Sequence, residues 1–551
     1  MADIPKSQYA VQLVGPDELI LNKNKEVFVP GAHQVLGKVE AVGLCFSDLK
    51  LLKQFSNHVR KTEIVSGIDA DVLKEVPSYV PGEKATVPGH EVVVKIAAVG
   101  DGVTDVKVGG RYLVQTDYRW LRTASNNGAF GYNFEGALQE YVLMDERVIT
   151  SPDGQFMLLP VGEELSSSAT ALVEPWACVE DAYASSERTT LKAGGKMAVV
   201  VDVETPADAI EKLIEKYGKP GEIIYVGKIE LVRADTVVSD VGQLEDAGYD
   251  DIVYFGSVPE TVEKLFAKIG KAGMLNIVQC GGKFGRDISA TVGRVHYGGI
   301  RVIGTTGADA CASMEIIPKS DEIRKGDKIN VIGAGGPMGM MHVIRNICQG
   351  VKRVSVYAGD LDDNRLAILS RIAQPMAEKN GVEYRPYNPT REKMSEKFDY
   401  AALMAPVPAL VARAVKDAAQ RGLINIFAGI PATIIGEFDL DMYIEKKLFF
   451  IGTSGSTLDD MKLMLAKAES GRLDTNVSVA AISGMAGATE GIRAVENRSI
   501  AGKIIVYPAC RSLGLIKLEE LEEKLPDVGE CLSDGLWTDQ AEKVLLERHS
   551  G

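Results

Sequence analysis

The chain is 551 residues long, room for roughly three or four domains of about 150 residues each, and its hydrophobic content of 46% is that of a protein with real cores. A net charge of −15 argues against nucleic acid or an anionic membrane as a main partner. No apolar run is long enough to span a bilayer, the opening Met1-Ala-Asp-Ile-Pro5 does not read as a signal segment, and the seven cysteines contain no CxxC pair, which points to free thiols in a reducing cytoplasm.

Residues 1–185 carry short β-type runs broken by Gly and Pro, such as 34–42, 91–99 and 110–115, and read as a compact β-rich domain. Three fragments in it carry chemistry. Gly43-Leu-Cys45-Phe-Ser47-Asp48 offers a thiolate with a hydroxyl two residues on. Pro88-Gly89-His90-Glu91 offers an imidazole and a carboxylate, and Val173-Glu174-Pro175 a second carboxylate. These are zinc donors, and three protein ligands leave a fourth position open for chemistry. The expectation is one catalytic zinc.

From about residue 190 the pattern becomes buried strands alternating with helices, which means βαβ units on a parallel sheet. This region repeats itself. Leu191–Val200 parallels Ile323–Ile332, Tyr249–Phe255 parallels Phe398–Met404, Gly273–Val278 parallels Gly422–Phe427, and Ile303–Ala308 parallels Ile451–Ser456. Four matched pieces in one order describe two consecutive Rossmann-type units, 186–318 and 319–457.

The copies differ where a dinucleotide would bind. The second has Gly333-Ala-Gly335-Gly336-Pro337-Met338-Gly339, a strand entering a glycine turn that opens a helix and can take a pyrophosphate. Asp360 ends the next strand, 21 residues past Gly339, where a carboxylate meets the adenosine ribose; a 2′-phosphate would meet its negative charge, so NAD(H) is expected over NADP(H). The first copy has Val201-Asp-Val-Glu-Thr-Pro206 at that turn, without glycine and with two acids. It is expected to be degenerate, a spacer or packing unit, with a second ligand site as the other reading. Residues 458–551 begin with an amphipathic helix from Asp459 to Ser470 and a β region ending Gly502–Tyr507. They close with a charged, helical tail, with Leu518, Leu521 and Leu525 on one face.

On these residues the chain resembles the medium-chain, zinc-containing alcohol dehydrogenases, over about 1–185 and 320–507 with 190–315 inserted. Leu44–Ser47, Gly131–Gly136, Gly336–Gly339 and Gly452–Gly455 followed by Asp459-Asp-Met461 bring it nearest to the sugar and polyol branch, the L-sorbose-1-phosphate reductases. The resemblance implies an α/β fold: a β-rich GroES-like catalytic domain followed by two tandem Rossmann-type doubly wound units, the first degenerate and the second nucleotide-binding. It implies that Cys45 and His90 are zinc ligands and that Glu174 is the third or holds a water at the metal. Glu91 then sits beside the metal and exchanges as a ligand, and Ser47 begins a proton relay. Lys50 stands where many members have a histidine and is the next relay group to consider. Cofactor contacts fall to Gly333, Gly335, Gly336, Pro337, Met338, Gly339, Asp360, Arg365 and Thr453. No cysteine lies between 45 and 178, so no structural zinc is expected, and the longer gap from Cys45 to His90 implies an extra loop over 53–88.

The function expected is zinc-dependent interconversion of a secondary alcohol and a ketone on a sugar, polyol or sugar phosphate with a nicotinamide cofactor, in a cytoplasmic homo-oligomer, dimer or tetramer. The alternatives are a non-phosphorylated polyol or amino-alcohol dehydrogenase, and a binding or assembly protein on the same scaffold. Arg119 and Arg122 read as a solvated loop, with contact to an anionic substrate as the other reading. His296, His342 and His549 have no supporting pattern and read as structural or exposed.

Overall fold

The computed structural model of the chain describes residues 4–227, 234–453 and 455–551. They form two compact units, Met1–Cys178 with Gly455–Gly551, and Val179–Ser454.

The first unit is organised by one eight-stranded sheet. The β-branched runs Gln34–Gly43 and Glu91–Val99 pair antiparallel at its centre. Along the sheet the strands run Ile516–Lys517, Val479–Ser483, Lys503–Val506, Gln34–Gly43, Glu91–Val99, Arg111–Val114 and Leu158–Pro160, and Tyr141–Asp145 also pairs with Gln34–Gly43. Register is what matters for function. Gly43 stands opposite Glu91 on one side and Ile505 on the other. That single rung brings positions 45, 90–91 and 503 together from three distant parts of the chain.

The inserted stretch 53–88, expected as a loop, holds packed structure. Helix Phe46–Gln54 runs into a 3-10 turn at Phe55–Asn57, and a short helix follows at Ala70–Lys74. Lys61 is fully buried and its ammonium donates to the carbonyls of Val80, Gly82 (3.1 Å) and Lys84 (2.9 Å), which ties the inserted segment onto itself. The tail also departs from expectation. Leu518, Leu521 and Leu525 do not share one helix: a 3-10 turn Leu518–Glu520 leads into Leu521–Lys524, Pro526 starts a separate turn, and the last helix is Asp539–His549. Proline has no N–H and clashes with the preceding turn, so the pattern cannot continue through it. The segment Asp117–Arg122 is a strand paired with Asn127–Ala129, not a loop.

The second unit holds two six-stranded parallel sheets. The first is built from Lys196–Val201, Glu222–Val226, Thr236–Val238, Tyr249–Phe255, Ile269–Val278 and Arg301–Thr305. The second is built from Lys328–Ile332, Ser355–Gly359, Glu383–Tyr387, Phe398–Leu403, Ala418–Asn425 and Phe449–Ile451. Numbered in chain order, both sheets have the spatial order 3-2-1-4-5-6, the doubly wound arrangement. Their strands are apolar almost throughout because helices cover both faces. Among the described residues no helix is long and apolar enough to cross a membrane.

Candidate metal and nucleotide sites

Cys45 caps the N-terminus of helix Phe46–Gln54, with its own N–H bound to the Asp48 carboxylate at 3.0 Å. The other oxygen of Asp48 meets His90 Nδ1 at 3.0 Å. Asp48 therefore fixes the thiol and the imidazole at once and leaves His90 Nε2 as the free donor atom, as a carboxylate does behind a metal-binding histidine. Ser47 Oγ lies 3.1 Å from Cys45 Sγ and 3.0 Å from His90 Nε2, so this hydroxyl sits within the donor set and does not cap the helix.

Donor atoms of Cys45, His90 and Glu91 lie within 4.8 Å of one another. Cys45 is half-buried, while His90 and Glu91 are buried. Glu91 forms a buried ion pair with Lys503 through Oε1, and its Oε2 is buried without a hydrogen-bond partner. Glu174, in the first turn of helix Val173–Ala184, is also buried but is not part of that three-residue set. Cys178 Sγ lies 3.7 Å from its carboxylate.

The electrostatics are those of a crowded ionic pocket. Burial pushes the Glu174 carboxyl up to about 7, against the pull of His90 and with the Glu91 charge adding to it. Burial opposes the imidazolium of His90, but the Asp48 charge and hydrogen bond outweigh it and hold its pKa well above the ordinary value. Burial likewise opposes the Lys503 ammonium, and the charges of Glu91 and Cys45 overcome it and raise its pKa.

Three more side chains surround this cluster. The Tyr132 ring lies 6.0 Å from His90 and 5.0 Å from His58, and the Arg60 guanidinium is 5.9 Å from the same ring. Burial lowers the His58 pKa to about 4, helped by Arg60 and Lys50. Lys50 itself is exposed on the helix. Arg119 pairs with Asp117 at 3.0 Å and donates to the Ser456 carbonyl at 2.9 Å, and Arg122 is exposed. Asp48, His58, Tyr132 and Lys503 had no role in the sequence reading. The only sequence signal was the three-residue spacing of Cys45 and Asp48, the separation of a helix cap and its box partner.

In the second unit, strand Lys328–Ile332 ends at Gly333 with φ +89°, a left-handed conformation that glycine adopts without strain. Gly336 caps helix Pro337–Cys348, with Pro337 at its first position and Met338 half-buried beside it. A Cβ on Gly339 would lie 2.2 Å from the Gly333 carbonyl oxygen, so helix and strand approach too closely for any side chain. Asp360 Oδ2 accepts the Gly335 N–H at 2.8 Å, and a Cβ on Gly335 would lie 2.6 Å from Arg365 Cβ. Arg365 pairs with Asp362 at 3.6 Å. Thr453 Oγ1 is buried without a hydrogen-bond partner. At the matching turn of the first copy, Asp202 accepts a hydrogen bond from Tyr254 Oη at 2.9 Å, and Asp208 precedes helix Ala209–Tyr217.

The remaining histidines differ. His342 is buried, with Nδ1 2.7 Å from Tyr183 Oη, and His296 packs edge-on to Tyr297. His549 lies 3.6 Å from Asp527.

Residues 31–153 match the alcohol dehydrogenase GroES-like domain family. The chain is 26% identical over 268 residues to an uncharacterized protein, YggP, of Escherichia coli (strain K12), covering 44% of this chain and 62% of that relative. It is 22% identical over 345 residues to mannitol-1-phosphate 5-dehydrogenase of Aliivibrio fischeri, covering 54% of this chain and 78% of the relative. It is 27% identical over 274 residues to (R,R)-butanediol dehydrogenase of Bacillus subtilis, covering 45% and 70%. The crystal structure of 2R,3R-butanediol dehydrogenase from Bacillus subtilis superposes with a TM-score of 0.50 at 17% identity, over 91% of this chain and all of that one.

Proposed function

We propose that the chain is a medium-chain, zinc-type alcohol dehydrogenase that interconverts a secondary alcohol and a ketone on a sugar, polyol or sugar phosphate, a reading supported by the GroES-like domain match and the likeness to (R,R)-butanediol dehydrogenase. The reading calls for one zinc and NAD(H), preferred over NADP(H). The observation that carries it is the thiol–imidazole–carboxylate set of Cys45, His90 and Glu91 with the Ser47 hydroxyl among its donor atoms.

These residues fit a zinc ion. The donor types are those of catalytic zinc, and Glu91 keeps one buried oxygen without a hydrogen-bond partner, which a cation would satisfy. Cys45, His90 and Glu174 would hold the metal, with Glu91 exchanging. When bound, zinc supplies a Lewis acid that polarises the substrate C–O bond. The chain's own groups do the rest. Asp48 holds the His90 ring with Nε2 toward the site. Ser47 Oγ moves the hydroxyl proton of the substrate, with Lys50 at the outer end of the helix face as the next group. The glycine turn from Gly333 to Gly339 would take the pyrophosphate on the helix N-terminus, Asp360 and Arg365 the adenosine ribose, and Thr453 would be a further cofactor contact.

A phosphorylated substrate is supported by the likeness to mannitol-1-phosphate 5-dehydrogenase and by Arg60, whose guanidinium approaches the Tyr132 ring next to His90. A non-phosphorylated diol or polyol is supported by the likeness to (R,R)-butanediol dehydrogenase. The deciding experiment is a panel of polyols, ketoses and their phosphates read by NADH formation or loss, with zinc content measured in the same samples. About one zinc per chain, lost in Cys45→Ala, and turnover only when zinc is present are expected. Full turnover after complete removal of zinc refutes the reading.

A further inference from the structure

The inserted first Rossmann copy pairs with the second in a particular way. Strand Ile288–Ala290 of the first copy is antiparallel to strand Gly436–Phe438 of the second, with Ile288 opposite Phe438, Ser289 opposite Glu437 and Ala290 opposite Gly436. The internal repeat maps Ile303 onto Ile451. Counting back from that pair without a gap, Ile288 corresponds to Gly436, Ser289 to Glu437 and Ala290 to Phe438, and these are the bounds of the two strands. Ile288 thus faces the counterpart of Ala290, Ala290 faces the counterpart of Ile288, and a twofold axis passes through Ser289 and Glu437. That reciprocity is the signature of an isologous interface, the kind two identical subunits make.

A second pair of contacts obeys the same symmetry. Gly304 packs against Ile444, where a Cβ would lie 2.6 Å from Ile444 Cγ1, and its counterpart Gly452 packs against His296, the counterpart of Ile444, with 3.1 Å to the His296 Cα. Around this axis the copies share one continuous core that includes Ile288, Val295 and Val302 from the first copy and Phe438, Tyr443 and Phe450 from the second. Tyr443 Oη donates to the Val302 carbonyl at 2.8 Å.

The two halves have also diverged so that they suit each other better than themselves. Asp441 of the second copy accepts from Gln279 Nε2 (2.6 Å) and from the N–H groups of Phe284 (3.0 Å) and Gly285 (2.9 Å) of the first. The counterpart of Asp441 in the first copy is Gly293, which returns no such bonds. Were two second copies to pair, Glu437 would face Glu437, and like charges directly opposed across a strand pair are destabilising.

We infer that the first Rossmann copy is a built-in partner: within one chain it fills the self-complementary face through which two nucleotide-binding units would otherwise associate. This face is then closed to a second copy of the chain, and self-association has to use another surface. The inference rests on the repeat and the register, not on the proposed activity, so it survives if that activity is refuted.

Cysteine pairing tests it on the full-length chain. Directly opposed residues of an antiparallel pair have Cα atoms about 4.5–5.5 Å apart, within the reach of a disulfide. Ser289 is half-buried and Glu437 exposed, so neither replacement touches the core. The variants are Ser289→Cys, Glu437→Cys and the two combined, oxidised beside the wild-type chain with its seven native cysteines. Only the double variant is expected to gain a 289–437 link by peptide mass spectrometry, and it should migrate on a denaturing, non-reducing gel at the single-chain mass of 59.3 kDa. A covalent dimer from either single variant means that the face pairs with itself between chains and overturns the inference. So does a 289–437 link that joins two chains, or the absence of any link in the double variant.

Discussion

Lys503→Met tests whether the buried ion pair governs the first unit. Lys503 and Glu91 are 4% and 0% exposed, and among the described residues Glu91 makes no other ion pair. The aliphatic stem of methionine replaces most of the lost volume, so the change removes charge more than packing. Breaking a buried pair from one side leaves the other charge uncompensated, at a cost of about 3–5 kcal/mol. For a folding unit of this size that is a fall in Tm of roughly 6–20 °C, at about 2–4 °C per kcal/mol. The measurement is thermal and urea unfolding in the presence of a chelator. Glu91→Gln in the Lys503→Met background should recover most of the loss, because a neutral amide needs no counter-charge. Zinc in place of the chelator should recover part of the loss in Lys503→Met, because a cation beside Glu91 takes the place of the ammonium. A fall of less than about 1 °C would mean under about 1 kcal/mol at stake and would refute the argument. A double variant as unstable as Lys503→Met alone would show that the buried charge is not the cause.

Ser47→Ala is expected to keep zinc and cofactor binding while turnover falls by roughly 10²–10⁴-fold, the usual contribution of a positioned proton-transfer group; wild-type turnover across the pH range would move the relay to Lys50. Asp360→Ala should weaken NADH by about 10–100-fold, since a hydrogen bond to a charged group is worth about 1.5–3 kcal/mol, and should narrow the gap to NADPH; unchanged constants in fluorescence titration would remove Asp360 from the ribose. Gly339→Ala should abolish NADH binding, because its Cβ would lie 2.2 Å from the Gly333 carbonyl oxygen and must push the helix off the strand; a normal titration would refute that close approach. His342, its pKa driven down to about 3 first by burial and then by Arg345, is held neutral in the fold. Its contribution to stability is complete above the ordinary value of about 6.5 and is lost as the pH falls toward 3, about 3 kcal/mol by pH 4.5 at about 1.4 kcal/mol per unit; urea midpoints of His342→Gln should fall less steeply than wild type over that range, and parallel curves would refute the assignment.

What the sequence shows plainly is local chemistry. A thiol, an imidazole and carboxylates spaced along the first third of the chain can be picked out because few other residues bind zinc. A glycine turn between an apolar strand and a helix is equally local, and the four matched strings reveal the duplication without any structure. Lys503 could not be found in this way. Its place beside Glu91 follows from one rung of the sheet, in which Gly43 stands between Glu91 and Ile505. No periodicity in residues 503–506 says which strand they will join. Asp48 was in plain view but silent, because an acid three residues into a helix is ordinarily a cap, and only the position of His90 gives it a second partner.

The same limit explains why the first Rossmann copy read as a degenerate spacer. Missing glycines after Val201 are a statement about a turn, and they say what the copy has lost. What it has kept is a separate two-stranded sheet, in which Ile288–Ala290 meets Gly436–Phe438. Such pairing needs only alternating apolar residues of modest size, and strands of three residues give almost no pattern to read. Yet this pairing is under tighter constraint than the turn. A one-residue slip would carry Ile288 and Phe438, both fully buried, to the solvent face. A copy released from binding a nucleotide is free to lose its glycine turn. A copy that must pair with its twin is not free to lose that register, and the reciprocal pairing about Ser289 and Glu437 is what remains of the constraint.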